Sequence, residues 1–386
     1  MRFDGILLPE WDRLRDAVRN ILAGRAGMAV YLSILGLITG FTGVWAIFLL
    51  GHGATTNTSD LVPWGIQIST YVYFVLISTG CTFVNFFGEI FYEEEYKPYA
   101  SRIMFLAIVT AFAAFIALAT EMGHIERMYY FFVSPNPTSP MFWMSVWYAI
   151  DVVILLLEYA NIRRQRHSRR VMWAAFFIAV VAYGTLGSLF GAVSSRVYYY
   201  SPLLPVYFLF MAFLSGSALA SVVAGMARRR DPENFPAIPP PFPAFLKVGL
   251  GLAFFASFWR LVIGLSGYVV GSEVFHLTLF QNVFYGIFLG IVAPFFMLHF
   301  ANWPGRLCCF IGMWVLVTQF LMRVDLVVGG FRVPVFRAYD IPEVVRYTPS
   351  VFEVLVVVAS VSFALFLYLI SDRSGLFRTV PEQEVR

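Results

Sequence analysis

The chain has 386 residues, of which 59% are hydrophobic, 18% aromatic and only 13% charged, and its mean hydropathy is +0.74. A soluble domain carries about a quarter of its residues as charges, so lipid is the solvent for most of this sequence, and a soluble enzyme or a nucleic-acid-binding protein is excluded. In such a chain the net charge of +4 reports on membrane orientation and not on an anionic partner.

The segment 1–26 reads as a cytoplasmic interfacial element: Trp11, Leu14, Val18, Ile21 and Leu22 share one helical face, with Arg13, Arg15 and Arg19 on others. No cleavable signal precedes the first apolar run, which begins near Gly27. Ten runs long enough to span a bilayer follow at roughly 27–51, 63–90, 102–120, 140–161, 171–193, 202–226, 243–269, 274–301, 305–322 and 350–370. Between them lie the expected breakers: Asn57 to Asp60 before Pro63, Ser134-Pro-Asn-Pro137 with Pro140, Ser201-Pro202, the proline-rich stretch Pro236 to Pro243, and Trp303-Pro304. The fold class expected is all-α, a polytopic membrane protein of about ten transmembrane helices over 27–370, followed by a cytoplasmic tail at 371–386.

Val62-Pro-Trp-Gly65 with Ser78-Thr-Gly80 in the second span is echoed by Ser201-Pro202, Pro205 and Ser215-Gly216 in the sixth. Segments four spans apart run in the same direction, so the echo predicts a parallel repeat of two four-helix bundles, at approximately 63–193 and 202–322, with flanking helices. Orientation follows from the basic residues. Of the 27 Lys and Arg, only Arg127, Arg196, Arg260, Arg323, Arg332, Arg337 and Arg346 fall on the side away from the N-terminus. Both termini are therefore expected in the cytoplasm, with the chain in a prokaryotic cytoplasmic (inner) membrane.

Charges inside a bilayer persist mainly when paired, hydrated or functional. Asp151 lies near the middle of the fourth span, Glu158 seven residues on shares its helical face, and Glu89 near the cytoplasmic end of the second span continues the line. Such a file suits a proton path; the alternative is that Asp151 pairs with an arginine or a hydroxyl to lock the bundle while Glu158 and Glu89 reach the headgroups. A second group gathers near the outer rim: Glu121, His124, Glu126 and Arg127 after the third span, Arg260 in the seventh, Glu273 and His276 at the start of the eighth, with Tyr129, Tyr130 and Trp143 as walls for a ring. Histidine and carboxylate side by side are able to hydrogen-bond a quinone carbonyl and take up its protons.

The five histidines, His52, His124, His167, His276 and His299, are not placed to hold a haem between spans. Cys81, Cys308 and Cys309 have no CxxC spacing, so no haem or iron–sulfur cluster is expected in this chain, and no metal site.

The stretch Glu121-Met-Gly-His-Ile-Glu-Arg127 followed by Pro135-Asn-Pro-Thr-Ser-Pro-Met141 resembles the NrfD family, which includes the polysulfide reductase membrane subunit. Val62 to Gly65, Tyr200 to Pro205 with Leu214-Ser-Gly216, and Tyr347-Thr-Pro-Ser-Val-Phe-Glu353 add to the likeness, which covers nearly the whole chain. The ten spans and the long loop before the last resemble the larger branch found in Dsr, Hmc, Qrc and alternative complex III assemblies. The resemblance implies a haem-free, cluster-free subunit that exchanges electrons between menaquinone or ubiquinone and a ferredoxin-like iron–sulfur subunit at the outer face, within a multi-subunit redox complex. It places Glu121, His124 and Arg127 near the quinone pocket, with His124 standing where many members have arginine. The segment from Arg323 to Tyr347, with Arg332, Arg337, Asp340 and Arg346, is then a candidate docking surface.

Two other readings compete. A secondary transporter suits ten spans, an apparent repeat and Asp151, but paired Gly/Pro interruptions in corresponding spans are missing from the sequence. A passive membrane anchor for a redox complex is the other.

Overall fold

The computed structural model describes residues 15–16, 18–21, 23, 27–166, 168–267, 271–300, 305–336, 339, 341–375 and 377. Most of the expected interfacial segment, together with His167, Trp303, Pro304, Arg337 and Asp340, lies outside the described residues. Among the described residues, ten helices are long and apolar enough to cross a membrane. They are α1 (Met28–Leu50), α2 (Ile66–Phe91), α3 (Glu93–Glu121), α4 (Pro140–Arg163), α5 (Arg169–Gly191), α6 (Leu204–Arg230), α7 (Pro241–Ser266), α8 (Gln281–Phe300), α9 (Gly305–Gly329) and α10 (Val351–Arg373).

Local chemistry explains where they start. Prolines stand in the first turns of α4, α6 and α7, where the missing N–H would be unpaired in any case. The first turn of α10 is closed by a reciprocal cap, in which Ser350 Oγ accepts from Glu353 N and the Glu353 carboxylate accepts from Ser350 N.

Two spans are longer than the hydropathy predicts. Helix α3 begins at Glu93, not near 102, because Glu93, Glu94 and Glu95 favour the positive end of the helix dipole. Helix α9 runs on past residue 322 to Gly329 and carries Arg323 and Asp325 within it. A short helix, Glu273–Leu277, precedes α8, and the first part of α8, Gln281–Val292, is π-helical.

Helices α2 to α5 pack on one another, α6 to α9 do the same, and α1 pairs with α10 against α3. The two groups meet where α2 crosses α6. A Cβ on Gly80 would stand 1.9 Å from the Ala212 carbonyl oxygen, and one on Gly216 would stand 1.9 Å from the Gly80 carbonyl carbon. Only glycine permits backbones to come that close. A similar seam joins α1 to α10, where Gly40 abuts the Ala359 backbone and Gly36 abuts Ser362.

The ends of the bundle differ. The end at which α1 starts and α10 finishes holds most of the Lys and Arg and is termed the basic face; the opposite end is the far face. At the basic face Asp372 of α10 accepts from Arg230 of α6 and lies 3.6 Å from Arg102 of α3, which ties the halves together.

Candidate functional site

A cavity of about 400 Å³ opens in the second helix group near the far face. Its wall comes from well-separated stretches: Ile66 at the start of α2, Tyr198 before α6, Tyr207 of α6, Arg260 of α7, Gln281, Asn282 and Tyr285 of α8, Met322 and Asp325 of α9, Arg332 after α9, and Tyr347 before α10. Tyr285 and Leu321, 45% and 50% exposed on the outside of α8 and α9, border it and give it an edge toward lipid. The π-helical turns of α8 carry Gln281, Asn282, Tyr285 and Gly286 into this wall; such wide turns are rare and recur at functional sites.

The polar groups of the wall are interlocked. Arg260 stacks on the Tyr198 ring, 4.3 Å from its centroid, with Tyr207 and Phe275 at 5.7 and 5.5 Å, and its Nη2 donates to the Tyr198 carbonyl at 3.1 Å. The Tyr198 hydroxyl donates to Asp325 Oδ2 at 2.7 Å and accepts from Asn282 Nδ2 at 3.2 Å. Arg332 Nη2 stands 3.7 Å from Asp325 Oδ1. Burial pushes the Tyr198 phenol up to about 12, the Asp325 carboxylate adding to the effect, so the hydroxyl stays protonated and remains a donor. Arg323 is 1% exposed and lies 5.4 Å from the Tyr207 centroid. Its Nη2 donates to Gln319 Oε1 at 3.0 Å.

Two buried polar atoms of lining residues have no hydrogen-bond partner among the described residues, Gln281 Oε1 and Asp325 Oδ1; Nε and Nη1 of Arg323 also have none, but Arg323 does not line the cavity. A buried polar atom left unpaired costs free energy, about 1–3 kcal/mol each, and in a cavity wall it marks a place where a ligand's polar atom is received. Leu321, Met322, Leu326 and Val328 supply apolar surface between them. The set fits a flat, mostly apolar molecule carrying a few oxygens.

Tyr347 closes the cavity on the α10 side. Its hydroxyl donates to Glu353 Oε1 at 2.7 Å and accepts from Ile66 N at 3.0 Å. Burial, then the hydrogen bond to Glu353, holds this phenol well above its ordinary range, and the charge of Glu121 adds to the effect.

The structure divides the rim residues singled out from the sequence. Arg260 lies in the cavity wall. Glu121, at the end of α3, is half-buried next to Thr120, whose carbonyl receives His52 Nε2 at 2.9 Å and Gln67 Nε2 at 3.3 Å. Glu121 acts on Tyr347 electrostatically but does not line the cavity. His124 is 61% exposed and bonds Glu126 at 2.7 Å; its own backbone hydrogen bond and then the His124 ring hold Glu126 below the usual carboxylate range. Arg127, Tyr129 and Tyr130 are exposed, the two tyrosine rings stacked with centroids 4.5 Å apart, and Trp143 donates to the Pro137 carbonyl. Glu273 and His276 also face outward, because the short helix Glu273–Leu277 buries Val274 and Phe275 instead. The rim cluster expected around His124 is thus not one pocket: the loop after α3 lifts its side chains above the helix ends. Within the candidate docking segment, Arg323 is buried in α9, Arg332 borders the cavity and Arg346 is exposed.

Tyr198, Tyr207, Gln281, Asn282, Asp325 and Tyr347 were not foreseen as site residues. The signal for part of the set is the polar spacing Gln319, Arg323, Asp325 in an otherwise apolar run from Ile311 to Val328, which reads as intramembrane charge once the ninth span is carried to its end.

The acidic file of the first helix group is a second arrangement. Asn85 Nδ2 donates to Glu158 Oε1 at 2.8 Å and to Glu89 Oε1 at 3.2 Å, and Tyr96 donates to Asn85 Oδ1 at 3.2 Å. Glu158 and Glu89 also line a pocket of about 130 Å³ at the basic face, with Glu93, Lys97 and Arg166. Two turns deeper, Asp151 is 2% exposed and accepts from the Tyr183 hydroxyl at 3.0 Å, beyond which Tyr148 and Tyr71 follow ring to ring. A hydroxyl partner for Asp151 is present, and Glu158 is buried in the protein.

Residues 54–335 match the family described as polysulphide reductase, NrfD. The chain is 26% identical over 373 residues to the Hdr-like menaquinol oxidoreductase integral membrane subunit of Archaeoglobus fulgidus, covering 88% of this chain and 90% of that one. It is 21% identical over 400 residues to a selenate reductase subunit of Mesobacillus selenatarsenatis, covering 89% and 92% respectively.

Proposed function

This chain belongs to the NrfD family, and on that premise we propose that it is the quinol-binding membrane subunit of a multi-subunit redox complex, with the cavity around Arg260, Tyr198 and Asp325 as the ring site. The Archaeoglobus fulgidus relative is named for menaquinol oxidoreduction, which supports menaquinol or ubiquinol as the small molecule. The observation that carries the reading is the joint presence of a lipid-side edge and unpaired buried polar atoms in one cavity. When bound, a quinol supplies two electrons and two protons. Arg260, in the cavity wall, favours negative charge developing on a ring oxygen. Asp325, fixed by Tyr198, has its Oδ1 free of hydrogen bonds among the described residues and serves as the proton acceptor.

By the positive-inside pattern the basic face is cytoplasmic and the far face is the outer one. The cavity then lies on the side where an iron–sulfur partner is expected to take or give electrons, and the protein sits in the cytoplasmic membrane of a prokaryote. The file Asp151, Glu158 and Glu89, with Asn85 between the last two, is a proton route from the cytoplasmic pocket toward the membrane interior. Quenching of intrinsic fluorescence by a menaquinone or ubiquinone analogue, measured on the purified complex, tests the reading. Saturable quenching lost in Arg260→Ala is the expected result; quenching unchanged by that substitution moves the ring elsewhere.

A further inference from the structure

The cavity wall on the α10 side leads away from the ring site through an unbroken set of hydrogen bonds. Tyr347 borders the cavity and donates to Glu353 Oε1 at 2.7 Å. Glu353 is 0% exposed, and its other oxygen accepts from Ser350 N at 2.7 Å and from Asn57 N at 3.1 Å. Asn57 is exposed at the far face, where its side chain donates to the Thr348 carbonyl at 3.0 Å. One buried carboxylate therefore has a cavity-lining hydroxyl on one side and a surface residue on the other. Both Tyr347 and Glu353 lie beyond residues 54–335, the stretch that the family match covers.

We infer that Tyr347 and Glu353 form a proton exit from the ring cavity to the far face, built by the tenth helix. The inference rests on the cavity being the quinol site. The transfer is a relay: the Tyr347 oxygen takes a proton from a ligand hydroxyl as its own proton passes to Glu353, so one O–H bond breaks and one forms at each step. The electrons leave separately, to an iron–sulfur partner. Tyr347 is able to act this way because Ile66 N occupies only one acceptor position of its oxygen. Glu353 releases the proton to solvent water at the far face beside exposed Asn57; the N–H groups of Asn57 and Ser350 orient the carboxylate and carry no proton, and Glu121 at the end of α3 is the further carboxylate whose charge reaches Tyr347.

The reciprocal cap at Ser350 gives Glu353 a structural role too, and glutamine preserves such a cap. Glu353→Gln therefore separates the roles, since its amide oxygen still accepts from Ser350 N and Asn57 N and its NH2 meets the Tyr347 oxygen with the direction of that bond reversed, but it holds no exchangeable acid. Wild type, Glu353→Gln and Tyr347→Phe are compared in the intact complex for quinone quenching and for quinol oxidation across pH. Expected are saturable quenching in both variants, with an unchanged midpoint in Glu353→Gln, a fall in turnover of about tenfold to a hundredfold in both, and partial recovery of Glu353→Gln by a small weak acid such as formate. Wild-type turnover and pH profile in either variant, with quenching intact, overturns the relay. Absence of saturable quenching in the wild type overturns the quinol reading itself and the relay with it. If Glu353→Gln does not assemble, Tyr347→Phe decides alone, because its ring still fills the wall.

Discussion

Tyr198 donates its phenolic proton to Asp325 Oδ2 at 2.7 Å while its ring carries the guanidinium of Arg260 at 4.3 Å. One side chain from the loop before α6 thereby fixes both a carboxylate on α9 and a cation on α7. The acid is oriented from outside its own helix, and its second oxygen is left facing the cavity. Asp325→Asn keeps the volume and the ability to accept from Tyr198 but takes up no proton at neutral pH. Quinol oxidation by the assembled complex is expected to fall about a hundredfold, with quinone quenching retained.

Arg260→Lys tests the geometry of the cation. A lysine keeps the charge, but it does not stack flat on Tyr198 and reach the Tyr198 carbonyl at once. Quinone affinity, read from the quenching midpoint, is expected to weaken by about tenfold, equivalent to about 1.4 kcal/mol. Equal midpoints for wild type and Arg260→Lys would mean that the guanidinium does not address the ligand.

The phenol of Tyr198 provides a pH signature. Its folded value is raised to about 12 from the ordinary value of 10.0, so the protonated form is favoured by folding. That contribution is fully present below pH 10 and is lost as pH rises toward 12. In a tyrosinate absorbance titration, Tyr198→Phe is expected to remove amplitude near pH 12 and to leave the step near pH 10 unchanged.

The ten spans were legible because each is a long apolar run, a property of consecutive residues. The ring site was not, because Ile66, Tyr198, Arg260, Gln281, Asp325 and Tyr347 come from six stretches joined only by helix packing. Arg260 was found as an intramembrane charge, whereas Arg323 and Asp325 were lost to a span end drawn at the first charge. That rule fails where neighbouring rings and a cavity take in the charges, as Tyr207 and Tyr198 do here. Conversely, the loop after α3 is dense in chemically active residues, yet His124 meets Glu126 at the surface, outside the cavity. His124→Ala is accordingly expected to leave the quenching midpoint unchanged, and a shifted midpoint would restore it to the site.

Backbone contact between α2 and α6 predicts a sharp contrast among glycines. Alanine at Gly80 or Gly216 would place a methyl group 1.9 Å from backbone atoms of the opposite helix, where no side-chain rotation relieves it. Overpacking of this kind costs about 1–3 kcal/mol or more. Gly184 on α5 has open space at its Cβ position. Thermal unfolding in detergent is expected to show a clear loss for Gly80→Ala and Gly216→Ala and none for Gly184→Ala.

The proposed proton route is tested at Asp151. It sits two turns from Glu158 on the same buried face of α4, in the helix group that does not hold the ring cavity. Its partner is the Tyr183 hydroxyl at 3.0 Å, and its Oδ1 has no hydrogen-bond partner among the described residues. An asparagine there still accepts from Tyr183, so packing is preserved, but it does not carry a proton between the Tyr148–Tyr183 pair and Glu158. In proteoliposomes given a quinol analogue and an external electron acceptor, Asp151→Asn is expected to keep turnover while losing proton uptake from the basic-face side. If proton uptake persists alongside turnover, the carboxylate file is packing and not a route. If the protein instead fails to accumulate in the membrane, the Asp151–Tyr183 bond is what holds α4 to α5.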